Sequence, residues 1–183
     1  MGVRPDAPTI KTIVSLTFYD IIMSFPFKIR PLLRGDRPPL AALLKAQDHF
    51  RHPEVQIALE LIDLALDQPG QEDYLIRCAE GSQGEILGYI CYGKAPLTDA
   101  VYDLYWIVVH PDYWSRGPGS ALLLRAEDEV KDLKARLLLI ETSSLSSYAR
   151  PRSFYLKHGY RELARVPDYY AVGDHKLIFG KTF

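Results

Sequence analysis

Residues 107–123 read IVVHPDYWSRGPGSALL: an apolar strand, a turn with two glycines, then at once the start of a helix. Such a junction leaves the first N–H groups of the helix unpaired and adds the positive end of its dipole, so it can hold an anion. Gly117 and Gly119 let a phosphate approach the backbone with no Cβ in the way. Pro118 sits where proline suits the first helical position, and Ser120 follows it. Arg116 and Arg125 add positive charge. Three classes of phosphate ligand use turns of this kind. A nucleoside triphosphate loop needs four residues between its glycines and a following Lys-Ser/Thr, and neither is present. A dinucleotide fold needs a third glycine at position 122, which is Leu122, and an acidic residue closing the next strand. The third class is coenzyme A. Farther on, Glu141 closes the apolar run Leu137–Ile140, and a carboxylate ending a buried strand needs a partner or a task.

Elements that would hold these groups follow from periodicity. Val101–His110 is a long strand closed by Pro111 and Asp112. In the helix after the turn, Leu123, Ala126, Val130 and Leu133 recur at core-facing spacing, with Glu127 and Lys131 paired on the wet side. Arg136–Thr142 is a strand buried on both faces. Pro151–His158 is a short helix stopped by Gly159, and strands near Tyr160–Ala164 and His175–Lys181 flank a polar, aromatic loop over Pro167–Asp174. Upstream, Phe27–Leu32 reads as a strand. Asp36, Pro38 and Pro39 start a helix with Leu40, Leu43 and Leu44 on one face. A second helix runs from Pro53 through Val55, Leu59, Ile62 and Leu66 to Pro69 and Gly70. Tyr74–Ala79 and Ile86–Tyr92 form a hairpin, with Cys78 and Cys91 toward opposite ends and therefore unbridged. The order is βααββ then βαβαββ, an α+β domain with a mixed central sheet flanked by helices.

Trp114 to Gly119, WSRGPG, resembles the acyl-CoA signature Gln/Arg-x-x-Gly-x-Gly/Ala of the GCN5-related N-acetyltransferase (GNAT) superfamily. Leu104–Pro111 looks like that family's fourth strand, and Phe154, Tyr155, Gly159 and Tyr160 match its Phe-Tyr-x-x-x-Gly-Phe element. The resemblance covers residues 27–183. It departs at Trp114, where the family has Gln or Arg, at Pro118, which removes a backbone donor, and at Ser146, Ser147 and Tyr148, where the family has Asn.

The resemblance implies a GNAT-type acyl-CoA N-acyltransferase fold and acetyl transfer from acetyl-CoA to an amine, with no metal. The CoA arm would run beside the backbone of Ile107, Val108 and Val109, whose N–H groups would stabilise the thioester oxygen as it gains charge. Cofactor contacts would come from Arg116, Gly117, Pro118, Gly119 and Ser120. Tyr155 corresponds to the family tyrosine that faces the CoA sulfur, and a phenol with a reference pKa of about 10 is a donor at neutral pH. Glu141 corresponds to the proton acceptor of some members, with Asp103 and His110 as rivals. Tyr169 and Tyr170 fall where the family often lines the acceptor pocket. Two other readings fit the same motifs: a catalytically idle CoA-binding module, and a transferase using another acyl-CoA.

The chain has 183 residues, 48% hydrophobic and 25% charged, with 22 basic and 23 acidic side chains and a net charge of −1. That size and composition suit one domain of a cytoplasmic globular protein. The balanced charge argues against a nucleic-acid partner, and a small-molecule or protein amine acceptor is expected instead; a homodimer is compatible with the sequence. Cys78 and Cys91 show no metal-site spacing and read as buried thiols. Ile13–Phe27 is apolar but interrupted by Asp20, too short to span a bilayer. Residues 1–26 are thus an N-terminal arm or an over-extended start, with Met23 as the alternative first residue.

Overall fold

The computed structural model describes residues 27–48 and 50–183; the arm or extended start expected over 1–26 lies outside them. The elements are β1 (Phe27–Pro31), α1 (Arg37–Lys45), α2 (His52–Asp67), β2 (Leu75–Gly81), β3 (Ile86–Lys94) and β4 (Val101–Val109). Then come α3 (Pro118–Asp132), β5 (Leu137–Ser143), α4 (Ala149–Lys157), β6 (Arg161–Ala171) and β7 (Asp174–Thr182). The seven strands form one mixed sheet in the order β1-β2-β3-β4-β5-β7-β6. Only β4 and β5 pair in parallel.

Helices cover both faces, because the buried strands alternate which way their apolar side chains point. On one face, Leu122, Leu123, Ala126 and Val130 of α3 pack with Leu87, Ile90 and Leu138. On the other, Leu40, Leu43 and Leu44 of α1 and Ile62 of α2 meet Cys78, Tyr89 and Cys91. Pro38 starts α1 as expected, but the Asp36 carboxylate does not cap the helix. It accepts instead from Arg30, at 2.6 and 2.8 Å, and from the Leu33 N–H. Burial pushes that carboxyl up, and these hydrogen bonds outweigh it and hold it below the usual range.

Four expectations change. Cys78 and Cys91 are free and buried, but they are not at opposite ends of the hairpin: Cys78 faces Tyr89 and Cys91 faces Ile76, so they are diagonal neighbours on one face. Glu127 is 1% exposed and pairs with Lys181 of β7, while Lys131 turns to Asp128. Lys181 of β7 reaches over the side of α3 that carries Glu127, which period alone assigns to water, while Asp128 beside it stays exposed. Leu133 lies just past the helix end and is exposed. The loop expected over Pro167–Asp174 is mostly strand, with β6 running to Ala171 through an irregular register and only the turn at Gly173 left over. Every residue of β6 is exposed. An edge strand with no covered face carries a polar sequence, which is why it reads as a loop.

Candidate active site

The site begins where the sheet comes apart. β4 and β5 are paired from Val101 opposite Leu137 to Leu104 opposite Ile140, and no farther. At the next residue β4 carries a bulge: Tyr92 faces Leu104 and Cys91 faces Trp106, leaving Tyr105 as the extra residue. A bulge bends its strand. Beyond it β4 follows β3 as far as Val109 opposite Gly88, while β5 follows β7 as far as Ser143 opposite Lys176. Among the described residues, the facing edges of 105–109 and 141–143 therefore have no ladder partner.

Between them lies a cavity of about 810 Å³. Its walls are β4 from Leu104 to Val109, β5 from Ile140 to Ser143, the turn at Gly117 and Gly119, and one face of α4. That α4 face carries Arg150, Ser153, Phe154 and Lys157, at helical spacing. The turn end is thus basic, with the α3 N-terminus adding its dipole. The lining also includes Glu54, Tyr148, Tyr170 and Asp174. Arg51 pairs with Glu54 at 3.1 Å and the Tyr148 hydroxyl donates to Glu54 at 3.2 Å. Burial, with Glu54 beside it, pushes the Tyr148 phenol up to about 12.

The turn is built for close approach. Gly117 is the N-cap of α3 with φ +103°, a backbone that a side chain strongly disfavours. Ser115 also has positive φ, +61°. At Gly119 an added Cβ would meet only Val109 and Phe154, at 3.5 Å and beyond, so protein packing does not require that glycine. A ligand lying against the backbone would. The Ser120 hydroxyl lies 3.0 Å from His158 Nε2.

Of the residues singled out by sequence, Ile107, Val108, Val109, Gly117, Gly119, Ser120, Glu141, Tyr155 and Tyr170 border this one cavity. Pro118 is buried beneath the turn. Arg116 lies over the Tyr113 ring, Tyr169 packs under Lys176, and Arg125 pairs with Glu129; none borders the cavity. Asp103 sits in the paired part of β4, opposite Leu139, where burial and then Glu141 push its carboxyl up. The His110 ring accepts from the Asp112 N–H.

Tyr155 is 6% exposed, its ring held among Phe154, Tyr160 and Phe179. Its hydroxyl makes no hydrogen bond within the described residues, and burial pushes the phenol well above its ordinary value. It stays protonated through the physiological range. Glu141 differs from expectation: it is exposed and pairs with Lys176 at 2.7 Å, because β5 ends in the open cleft rather than in the core. Sequence reasoning missed Glu54, Tyr148 and Arg150. Glu54 reads as an ordinary first-turn acid, and nothing local marks Tyr148 or Arg150 as bordering the same cavity as the turn.

A strand pair opened beside a bulge, with a glycine-bearing helix start bordering the gap, leaves an open slot in the sheet. Residues 71–162 match the family description "Acetyltransferase (GNAT) domain". A solved structure from Desulfovibrio desulfuricans, described as an acetyltransferase of the GNAT family, is 32% identical. It covers 85% of this chain and 98% of its own, with a TM-score of 0.81. This chain belongs to the GNAT acetyltransferase family. The ribosomal-protein-S18-alanine N-acetyltransferase of Escherichia coli shares the fold at 19% identity, covering 85% of this chain and 93% of its own, TM-score 0.68. So does the PaiA N-acetyltransferase of Thermoplasma acidophilum, solved with coenzyme A, at 18% identity, 86% and 99% coverage, TM-score 0.64. No curated protein sequence matches the chain. Among the described residues, no group of three His, Cys, Asp or Glu could hold a metal ion, and no helix is long and apolar enough to cross a membrane.

Proposed function

We propose that this chain transfers the acetyl group of acetyl-CoA to a primary amine by direct attack. The observation that carries the proposal is the parting of β4 from β5 beside the Gly117–Gly119 turn. An extended pantetheine arm would lie in the gap as a substitute strand, with its phosphates at the basic end.

Residues of the chain then divide the work. Backbone N–H groups on the free edge of β4, over Ile107–Val109, donate to the thioester oxygen as charge builds on it; fixed dipoles of this kind cost no reorganisation during the reaction. The amine nitrogen attacks the carbonyl carbon from the part of the cleft lined by Glu54 and Tyr170, and the C–S bond breaks. Tyr155 gives its proton to the departing sulfur and recovers one from solvent. Glu141, exposed at the cleft and held by Lys176, takes the proton that the amine loses, directly or through water.

Incubation with acetyl-CoA and a panel of amines tests this, with free thiol and product mass as readouts. Acetylated amine and CoA should appear in equal amounts. Binding of CoA with no thiol release from any amine would replace this reading with that of a catalytically idle module.

A further inference from the structure

Trp114 stands where the family signature carries Gln or Arg, and an indole cannot neutralise a phosphate. In the fold, its Nε1–H donates to the Val109 carbonyl at 2.8 Å, which pins the ring to the end of β4 where the turn begins. The guanidinium of Arg150, from the first turn of α4, lies over that ring, 4.0 Å from its centre. Stacking uses the flat face of a guanidinium and leaves its N–H edge free to donate. Arg150 Nη2 also reaches the Ser115 hydroxyl at 3.4 Å, inside the turn. Trp114, Ser115 and Arg150 all border the cavity. Arg51, the other arginine lining the cavity, is tied to Glu54, whereas no described carboxylate pairs with Arg150.

We infer that Arg150, held in place by Trp114, is the cation that binds the diphosphate of coenzyme A in this chain. The missing charge of the signature is supplied from a different helix, with Trp114 turned from ligand to platform. This rests on the coenzyme A reading above. A guanidinium suits the task because its fork donates two parallel hydrogen bonds to neighbouring phosphate oxygens. The Trp114 ring lets it do so with little loss of rotamer freedom, since the side chain is already fixed.

Binding measurements on the full chain test it. Calorimetry gives affinities for CoA and for dephospho-CoA, which keeps the diphosphate and lacks the 3′-phosphate; chemical-shift titration gives that for pantetheine, which has no phosphate. Arg150→Ala should weaken CoA and dephospho-CoA alike by about 10- to 100-fold, the range for charge-assisted hydrogen bonds, and spare pantetheine. Trp114→Ala should reproduce most of that loss, and Trp114→Phe, which keeps a ring, much less. Adding Trp114→Arg to Arg150→Ala returns a cation to the signature position and should recover affinity. Wild-type affinity for CoA in Arg150→Ala would overturn the inference, as would an equal proportional loss for pantetheine. A loss confined to CoA would move Arg150 to the 3′-phosphate and overturn the diphosphate assignment. Failure of the unaltered chain to bind CoA would overturn the underlying reading together with it.

Discussion

Glu127 Oε2 and Lys181 Nζ lie 2.7 Å apart, joining α3 to β7 at a point where the carboxylate is 1% exposed. Lys181 also donates to the His158 carbonyl at 3.0 Å, so one ammonium ties three segments. The second carboxylate oxygen has no hydrogen-bond partner among the described residues. Lys181→Met leaves a buried charge alone and should cost about 3–5 kcal/mol in urea unfolding. Combining it with Glu127→Gln should recover part of that loss. A single variant as stable as the original would show that the pair contributes nothing.

Gly119 separates binding from folding. Its surroundings leave room for a side chain, so Gly119→Glu should unfold within a few degrees of the original. CoA should raise the melting temperature of the original and not of the variant, because bulk and negative charge then occupy the phosphate position. An unchanged ligand-induced rise would remove the turn from CoA binding.

Tyr155→Phe keeps the ring among Phe154, Tyr160 and Phe179 and deletes only the proton donor. Turnover should fall by ~10²–10⁴-fold with little change in KM for acetyl-CoA. Near-normal turnover, in an assay limited by chemistry, would exclude Tyr155 as the acid.

Glu141→Gln should act on the amine side. Its loss of turnover should shrink as pH rises, since free amine becomes abundant without help. A loss independent of pH would assign Glu141 to holding Lys176 instead.

Stability should fall at both ends of the pH range. Asp36 and Glu129 have carboxyls that burial pushes up but that hydrogen bonds, from Arg30 and from Arg77, Tyr92 and Arg125, hold below the usual range. A depressed folded-state pKa gives stability that is present above the unfolded value, about 4, and lost as pH drops through the folded one. Burial pushes the Cys78 thiol up to about 12. That raised value gives stability present below about 8.5 and lost as pH climbs toward 12. Asp36→Asn should therefore lower stability at pH 7 by about 2 kcal/mol and flatten the acid limb, as urea midpoints across pH would show. An acid limb as steep as the original's would mean other carboxylates carry it.

Sequence patterns gave access to most of the frame because its signals are local. Strand, glycine turn and amphipathic α3 follow one another without a break, and Phe154 to Tyr160 mark α4 and its stop. What escaped notice depends on contacts between distant segments. The bulge at Tyr105 has no proline or glycine to announce it, yet the cleft opens beside it. Lys176 reaches Glu141 only because β7 runs antiparallel beside β5. Arg150 meets Trp114 only once α4 has folded back along the turn. Strands near Tyr160–Ala164 and His175–Lys181 were legible, but the second half of β6 read as a loop for another reason: a strand exposed on both faces has no alternating pattern to read.

The seam between β4 and β5 spans only Val101–Leu104 against Leu137–Ile140. Strands β1 to β4 form one half-sheet, and β5, β7 and β6 form another. The molecule is in effect a book with a spine four residues long on each side, and the cleft is the gutter between the pages. Leu104 and Ile140 are the last pair of that spine, and the pages part immediately beyond them.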